Sequence, residues 1–250
     1  MNQAIQSLVL AAVAVVAVSM SVQPARAADK WSEVVLAEPF TWNMIGLEYT
    51  DRSFDGIPQY GTDGKELVGK PTQSVSQHTW AATMRGTLYS PWNRTALGHT
   101  PGINYDLQIG SYSEASIPNK KYAGGEGGFV FGFKTGYPWA LYDNSWMRVG
   151  AGFGFGIMYH IGILDPANAN YQGLDFDGFG TVHADFKLAG GMKVHATYEH
   201  APFNVAFGDQ KRVNATFSWT WLAVSLRYAH SNLTDKMTMT NLGTVVGIAF

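Results

Sequence analysis

Apolar and polar residues alternate with a period of two along most of this chain, and such alternation sends successive side chains to opposite faces of an extended strand. The last ten residues carry it plainly. Leu242, Val246, Ile248 and Phe250 fall on one face, and Asn241, Gly243, Val245, Gly247 and Ala249 fall on the other. The pattern runs back through Trp221–His230, Lys211–Thr220, Met192–His200 and Phe176–Ala189. It recurs over Trp146–His160, Gly125–Tyr137, Gly102–Glu114 and Gln77–Ser90, with a less regular first segment at Thr41–Phe54. Ten strands are expected; eight or twelve result if the weaker boundaries move. The chain reads as all-β.

What the apolar faces meet follows from composition. Charged residues make up 14% of the chain, against roughly 25% in ordinary soluble domains. The mean hydropathy of −0.07 excludes a bundle of membrane helices. A transmembrane barrel gives this bland average, because lipid-facing and lumen-facing residues alternate. About ten residues is also what a tilted strand needs to cross a bilayer. Fold expectation: a transmembrane antiparallel up-and-down β-barrel. The terminal strand, with Leu242, Val246, Ile248 and Phe250 in line, resembles the C-terminal signal strand of bacterial outer-membrane β-barrels. That resemblance implies residence in the outer membrane of a Gram-negative bacterium and contact with outer-membrane lipids and lipopolysaccharide. It also implies recognition by the barrel-assembly machinery through this strand.

The N-terminus fits export. Leu8–Val18 is an apolar run too short to span, followed by the small-x-small site Ala25-Arg-Ala27, as in a secretory leader. Cleavage after Ala27 is expected, leaving 28–250 as a single barrel domain. Met1–Ser7 departs from the usual pattern in carrying no Lys or Arg.

An even strand count puts both termini on the periplasmic side. Periplasmic turns are then expected at Pro91–Pro101, Pro138–Ser145, Gly190-Gly191 and near Thr220. Outer loops are expected at Asp55–Ser76, Ala115–Gly124, Ile161–Asp175, Ala201–Gln210 and Ser231–Thr240. Aromatic residues fall into two girdles: Trp92, Tyr137, Trp139, Tyr142, Trp146, Trp219 and Trp221 at one end, and Tyr159, Tyr198 and Tyr228 at the other.

The faces opposite the apolar ones collect Glu48, Arg85, Asp106, Lys134, Arg148, His183, Asp185, Lys187, Lys193, His195, Glu199, Arg212 and Arg227. Charges crowded into a narrow tube must pair or be hydrated. Two readings follow: a salt-bridged plug that stiffens the barrel, or a small, mildly cationic pore. Gly150, Gly152, Gly154 and Gly156, beside Arg148, leave room along one wall and favour some opening.

Chemistry has few candidates. His183, Asp185 and His195 have a metal-like donor set, yet such a trio reads first as part of the lumen hydrogen-bond network. No metal or cofactor is expected. His160 with Asp165, and Glu199 with His200, lie at outer strand ends and read as solvated. The absence of Cys removes thiolate sites, and a formal charge of −2 gives no nucleic-acid footprint. No particular solute or surface ligand is named by the sequence. One segment, Arg227-Tyr-Ala-His230-Ser231-Asn232 on the penultimate strand, resembles the catalytic segment of outer-membrane lipid A deacylases of the PagL type, a His-x-Ser-Asn motif. The resemblance implies His230 as base and Ser231 as nucleophile, beside Asn232. Here His and Ser are adjacent, so only a bulge would bring them to one face, and no Glu follows Ser231. The functional expectation is a narrow passive channel or a structural or surface barrel with a charged lumen. The alternative is a lipid A acyl hydrolase working from the barrel wall.

Overall fold

The computed structural model describes residues 42–89, 94–95, 98–99, 103–120, 124–143, 146–164, 171–204 and 207–250. The expected leader over 1–27, the start of the first strand at Thr41, most of the Pro91–Pro101 turn with Trp92, and Asp165 lie outside the described residues.

Ten long strands form one closed barrel. They are β1 (Asn43–Ile57), β2 (Gln73–Tyr89), β3 (Ile103–Ser116), β4 (Gly124–Asp143), β5 (Met147–Ile163), β6 (Tyr171–Lys187), β7 (Lys193–Asn204), β8 (Gly208–Trp219), β9 (Leu222–Asn232) and β10 (Thr238–Ala249). A two-residue pair, Arg94–Thr95 with Gly98–His99, sits in the β2–β3 connection. Each strand pairs antiparallel with the next. The last closes on the first in unbroken register from Met44↔Ala249 to Asp55↔Thr238.

Alternation decides which side each residue takes. Leu47, Trp80, Val246 and Ile248 point outward and are more than half exposed. Glu48, Arg85, Arg148, Asp185 and Arg212 point inward and are buried. An apolar exterior over a charged interior inverts the soluble pattern. It suits a hydrocarbon solvent, where closure also satisfies every backbone group.

The short turns after β6 and β8, together with both ends of the barrel sequence, lie at one end, here the turn end. The connections after β1, β3, β5, β7 and β9 lie at the other, the loop end. The β6–β7 turn uses Gly190 and Gly191, both with positive φ.

At the loop end the strands run further than the alternation suggested. β1 continues to Ile57, β9 to Asn232, β6 starts at Tyr171 and β10 at Thr238. The reason is a change of solvent. There the inward residues turn apolar: Phe54, Ile57, Tyr112, Val130, Ile163 and Met239 join one buried cluster with Ile117, Leu164 and Phe207. The outward ones (Ser53, Asp55, Ser74, Ser76, Thr240) turn polar. The two faces exchange character, so a pattern sought as apolar-out fades while the strand continues. The expected Pro138–Ser145 turn is also corrected. β4 runs through Pro138, which pairs with Gly152 of β5. Among the described residues pairing with β3 ends at Gly136, so Pro138 lies beyond that ladder, a position proline tolerates.

Candidate functional site

The lumen holds the polar machinery of this barrel, arranged as a transverse belt. Arg227 of β9 donates to Glu48 of β1 and to Asp106 of β3, each at 2.6 Å. Arg85 of β2 lies 3.5 Å from Asp106 and donates to Ser225 at 2.7 Å. Beside this group, Lys134 of β4 donates to Glu199 of β7 at 2.7 Å. Arg212 of β8 reaches Glu199 at 2.8 Å and also pairs with Asp177 of β6. The Phe179 ring lies between two of the cations, 5.1 Å from the Lys134 ammonium and 4.9 Å from the Arg212 guanidinium.

Four cations and four carboxylates thus face one another from eight strands. The strands that contribute none make the room. On β5, a Cβ at Gly154 would stand 2.3 Å from the Phe179 ring, and one at Gly156 would stand 2.3 Å from the Asp177 carboxylate. On β10, a Cβ at Gly243 would stand 2.8 Å from Thr50 and 3.3 Å from Glu48. The expectation that the β5 glycines leave an open wall is therefore corrected: side chains of β6 occupy that space.

Two cavities flank the belt. One, of about 110 Å³, lies towards the loop end. Its lining combines Arg52, Arg212 and Arg227 with Val130, Phe207 and Met239, the last three belonging to the apolar cluster that roofs it. A smaller cavity of about 40 Å³ lies towards the turn end, lined by Trp42, Arg85 and His195. Beneath it, Met44, Ala223 and Val245 pack with Trp42 and Ala249.

Most of the expected lumen residues are where alternation put them. His183, Asp185 and His195 do meet near the turn end: the His195 ring hydrogen-bonds Asp185, and His183 Nε2 lies 3.8 Å away. Trp42 covers His195, with ring centroids 4.5 Å apart. Among the described residues no group of three or more His, Asp or Glu side chains has metal-holding geometry. Arg148 is buried, and Lys187 and Lys193 sit opposite each other beside the β6–β7 turn. His160 departs from its solvated reading. It points inward, is 1% exposed, and hydrogen-bonds the Tyr112 hydroxyl at 2.6 Å. Glu199 is likewise a belt member, while its neighbour His200 faces outward and bonds Asp209 at 2.6 Å.

His230 and Ser231 are not brought together. The β9 ladder is regular against both β8 and β10 through this segment, with no bulge. His230 takes the outward face, 3.4 Å from Thr240. Ser231 takes the inward face, fully buried, and accepts a hydrogen bond from Gln210 at 3.1 Å. Met239 stands opposite Ser231 on β10, where an acid partner would be needed.

Arg52, Asp175, Asp177 and Phe179 were missed by the sequence reading. Parity held the signal: Arg52 follows Glu48 and Thr50 at even spacing, and Asp175, Asp177 and Phe179 precede Thr181 at even spacing.

Lipid-facing apolar strands closed around a charged interior define a transmembrane β-barrel of the outer-membrane type. No family model and no curated relative matches the chain. Among solved structures it is similar to the outer membrane protease OmpT from Escherichia coli (9% identity over 88% of this chain and 99% of that one, TM-score 0.45). It is also similar to the translocator domain of the autotransporter NalP from Neisseria meningitidis (10%, 84% and 88%, TM-score 0.39). A third is Ail, the attachment invasion locus protein of Yersinia pestis (11%, 84% and 99%, TM-score 0.32). Identities and TM-scores at this level do not bear on function, which rests on the geometry of this chain.

Proposed function

We propose that this protein is a closed structural or surface barrel of the Gram-negative outer membrane, and not a passive channel. The observation that carries the reading is the belt: four cations and four carboxylates paired across the lumen, capped on the loop side by a buried apolar cluster. An ion moving along the axis would have to break paired charges in a low-dielectric tube and then cross an apolar roof, which opposes conduction electrostatically and by dewetting.

In this reading the chain is exported with cleavage after Ala27, the turn end faces the periplasm and the loop end faces outward. The terminal strand, with Leu242, Val246, Ile248 and Phe250 towards lipid, serves as the address for barrel assembly. Planar-bilayer recording of the purified protein tests the closed axis: no steps are expected at either polarity up to moderate voltage. Reproducible single-channel steps from the unmodified protein would replace the closed barrel by the channel.

A further inference from the structure

Beyond the belt, the loop-side cavity holds a further buried cation. Lys134, Arg212 and Arg227 line that cavity, and each is ion-paired. Arg52 of β1 lines it too and is 7% exposed. Its Nε donates to the Asn241 side chain at 3.1 Å, and its guanidinium lies over the Tyr112 ring at 5.1 Å. Both contacts are to uncharged groups. Its Nη1 has no hydrogen-bond partner among the described residues.

A second group in the same state stands beside it. Thr79 of β2 pairs with Thr50 of β1 and with Tyr112 of β3, which places it next to Arg52 on the lumen wall. It is buried, and its hydroxyl also lacks a hydrogen-bond partner among the described residues. The carboxylates that line the cavity are already engaged. Glu48 accepts from Thr50 and Arg227, Asp106 from Thr83 and Arg227, and Asp175 from Asn204. What stands unmet beside Arg52 is therefore a pair of donors. A charged donor left unmet in a low-dielectric interior is costly, so a ligand that accepts there stabilises the site.

The loop-end side of the same cavity is apolar. On β10, Asn241 pairs with Arg52, and the next inward residue towards the loop end is Met239, opposite Phe54. Val130, Met158 and Phe207 line that side with it. One small cavity thus joins a cationic, donor-bearing floor to an apolar ceiling. Water meets the floor well and the ceiling poorly, since an ordered water needs polar partners on several sides.

We propose that the loop-side cavity binds a short-chain monocarboxylate of about two to four carbons. Its carboxylate accepts from Arg52 Nη1 and the Thr79 hydroxyl, a charge-assisted contact, and its alkyl end lies under Met239 and Val130. Size sets the chain length. A dry cavity of about 150 Å³ holds a six-carbon ring, so one of about 110 Å³ stops at a shorter chain. An inorganic anion leaves the apolar side unfilled, and a longer fatty acid displaces the roof. Entry is past Met239, an unbranched side chain that yields readily. The site goes beyond the closed-barrel reading and is independent of it.

In detergent, calorimetry compares butyrate with butyramide, its uncharged analogue, with sodium chloride and with hexanoate. Butyrate is expected to bind at least tenfold tighter than each of the three. Arg52→Gln is expected to bring butyrate down to the level of butyramide. Thr79→Val, which nearly keeps the shape of the side chain, is expected to weaken butyrate severalfold and leave butyramide unchanged. Both variants are checked for folding by their heat-dependent gel shift. Crystals of the unmodified protein soaked in 3-bromopropionate then give the orientation, with the anomalous bromine peak expected beside Met239 and the carboxylate at Arg52. Absence of butyrate binding, any control binding as tightly as butyrate, a folded Arg52→Gln protein that keeps the preference, or a bromine peak elsewhere would each overturn the site. Ion conductance in the bilayer experiment would overturn the closed axis and leave these outcomes standing.

Discussion

Arg227 is the residue on which most of the belt converges. Its two terminal nitrogens each hold a different carboxylate, Glu48 across the β9–β10–β1 arc and Asp106 on β3. Thr50 donates a further hydrogen bond to Glu48 at 3.0 Å, and Ser225 receives Arg85 while also accepting from Thr216 at 2.9 Å. Removing one partner from such a set leaves the others buried and uncompensated, a loss of about 3–5 kcal/mol, whereas neutralising the whole set together is far milder. Arg227→Met is therefore expected to lower unfolding stability by about that amount, read as a shift in the urea midpoint of the gel-mobility transition. Adding Glu48→Gln to Arg227→Met, which leaves Asp106 paired with Arg85, is expected to recover most of the loss. If the single and double variants unfold alike, the belt is not a coupled unit.

At the scale of the strand, glycine has two opposite uses in this wall. On β5, Gly154 faces inward and yields its space to the Phe179 ring; on β6, Gly180 faces outward and yields its space to nothing described. Gly154→Ala is expected to destabilise by about 1–3 kcal/mol through overpacking, while Gly180→Ala stays within about 0.5 kcal/mol of the parent. Equal losses at the two sites would mean that β5 is not packed against the belt. The same two strands mark how far the sequence was legible. Period two located all ten strands and the lumen side of Arg85, Asp106, Lys134, Glu199, Arg212 and Arg227, because a lipid exterior and a charged interior make the contrast sharp. The contrast disappeared where Phe54, Ile57 and Met239 turn inward under polar outer residues, and the loop-end boundaries were lost with it. Pairing between particular charges was not legible either, since a belt that crosses the lumen joins residues of distant strands and leaves no periodic trace. The filled space beside the β5 glycines was misread for the same reason: what fills it comes from β6.

For the molecule as a whole, closure has two separable causes, the neutral charge belt and the apolar roof, stacked along one axis. The roof residues Val130, Phe207 and Met239 also line the loop-side cavity, so they form a layer between that cavity and the loops. The belt separates it from the turn-end cavity lined by Trp42 and His195. Two barriers in series mean that thinning either one alone leaves the path closed. Phe207→Ala is expected to give no conductance, because paired charges still span the lumen. Lys134→Ala with Glu199→Ala, removing a cation and a carboxylate together to keep the belt neutral, is expected to give none either, because the roof remains dry. Combining the three substitutions is expected to produce small single-channel steps in a planar bilayer, with weak preference between cations and anions, since the remaining belt charges still balance. Steps from Phe207→Ala alone would show that the belt is permeable and that the roof is the only gate. Silence from the triple variant, with the barrel still folded by its gel shift, would place the obstruction elsewhere, at the Trp42 and Met44 layer of the turn end.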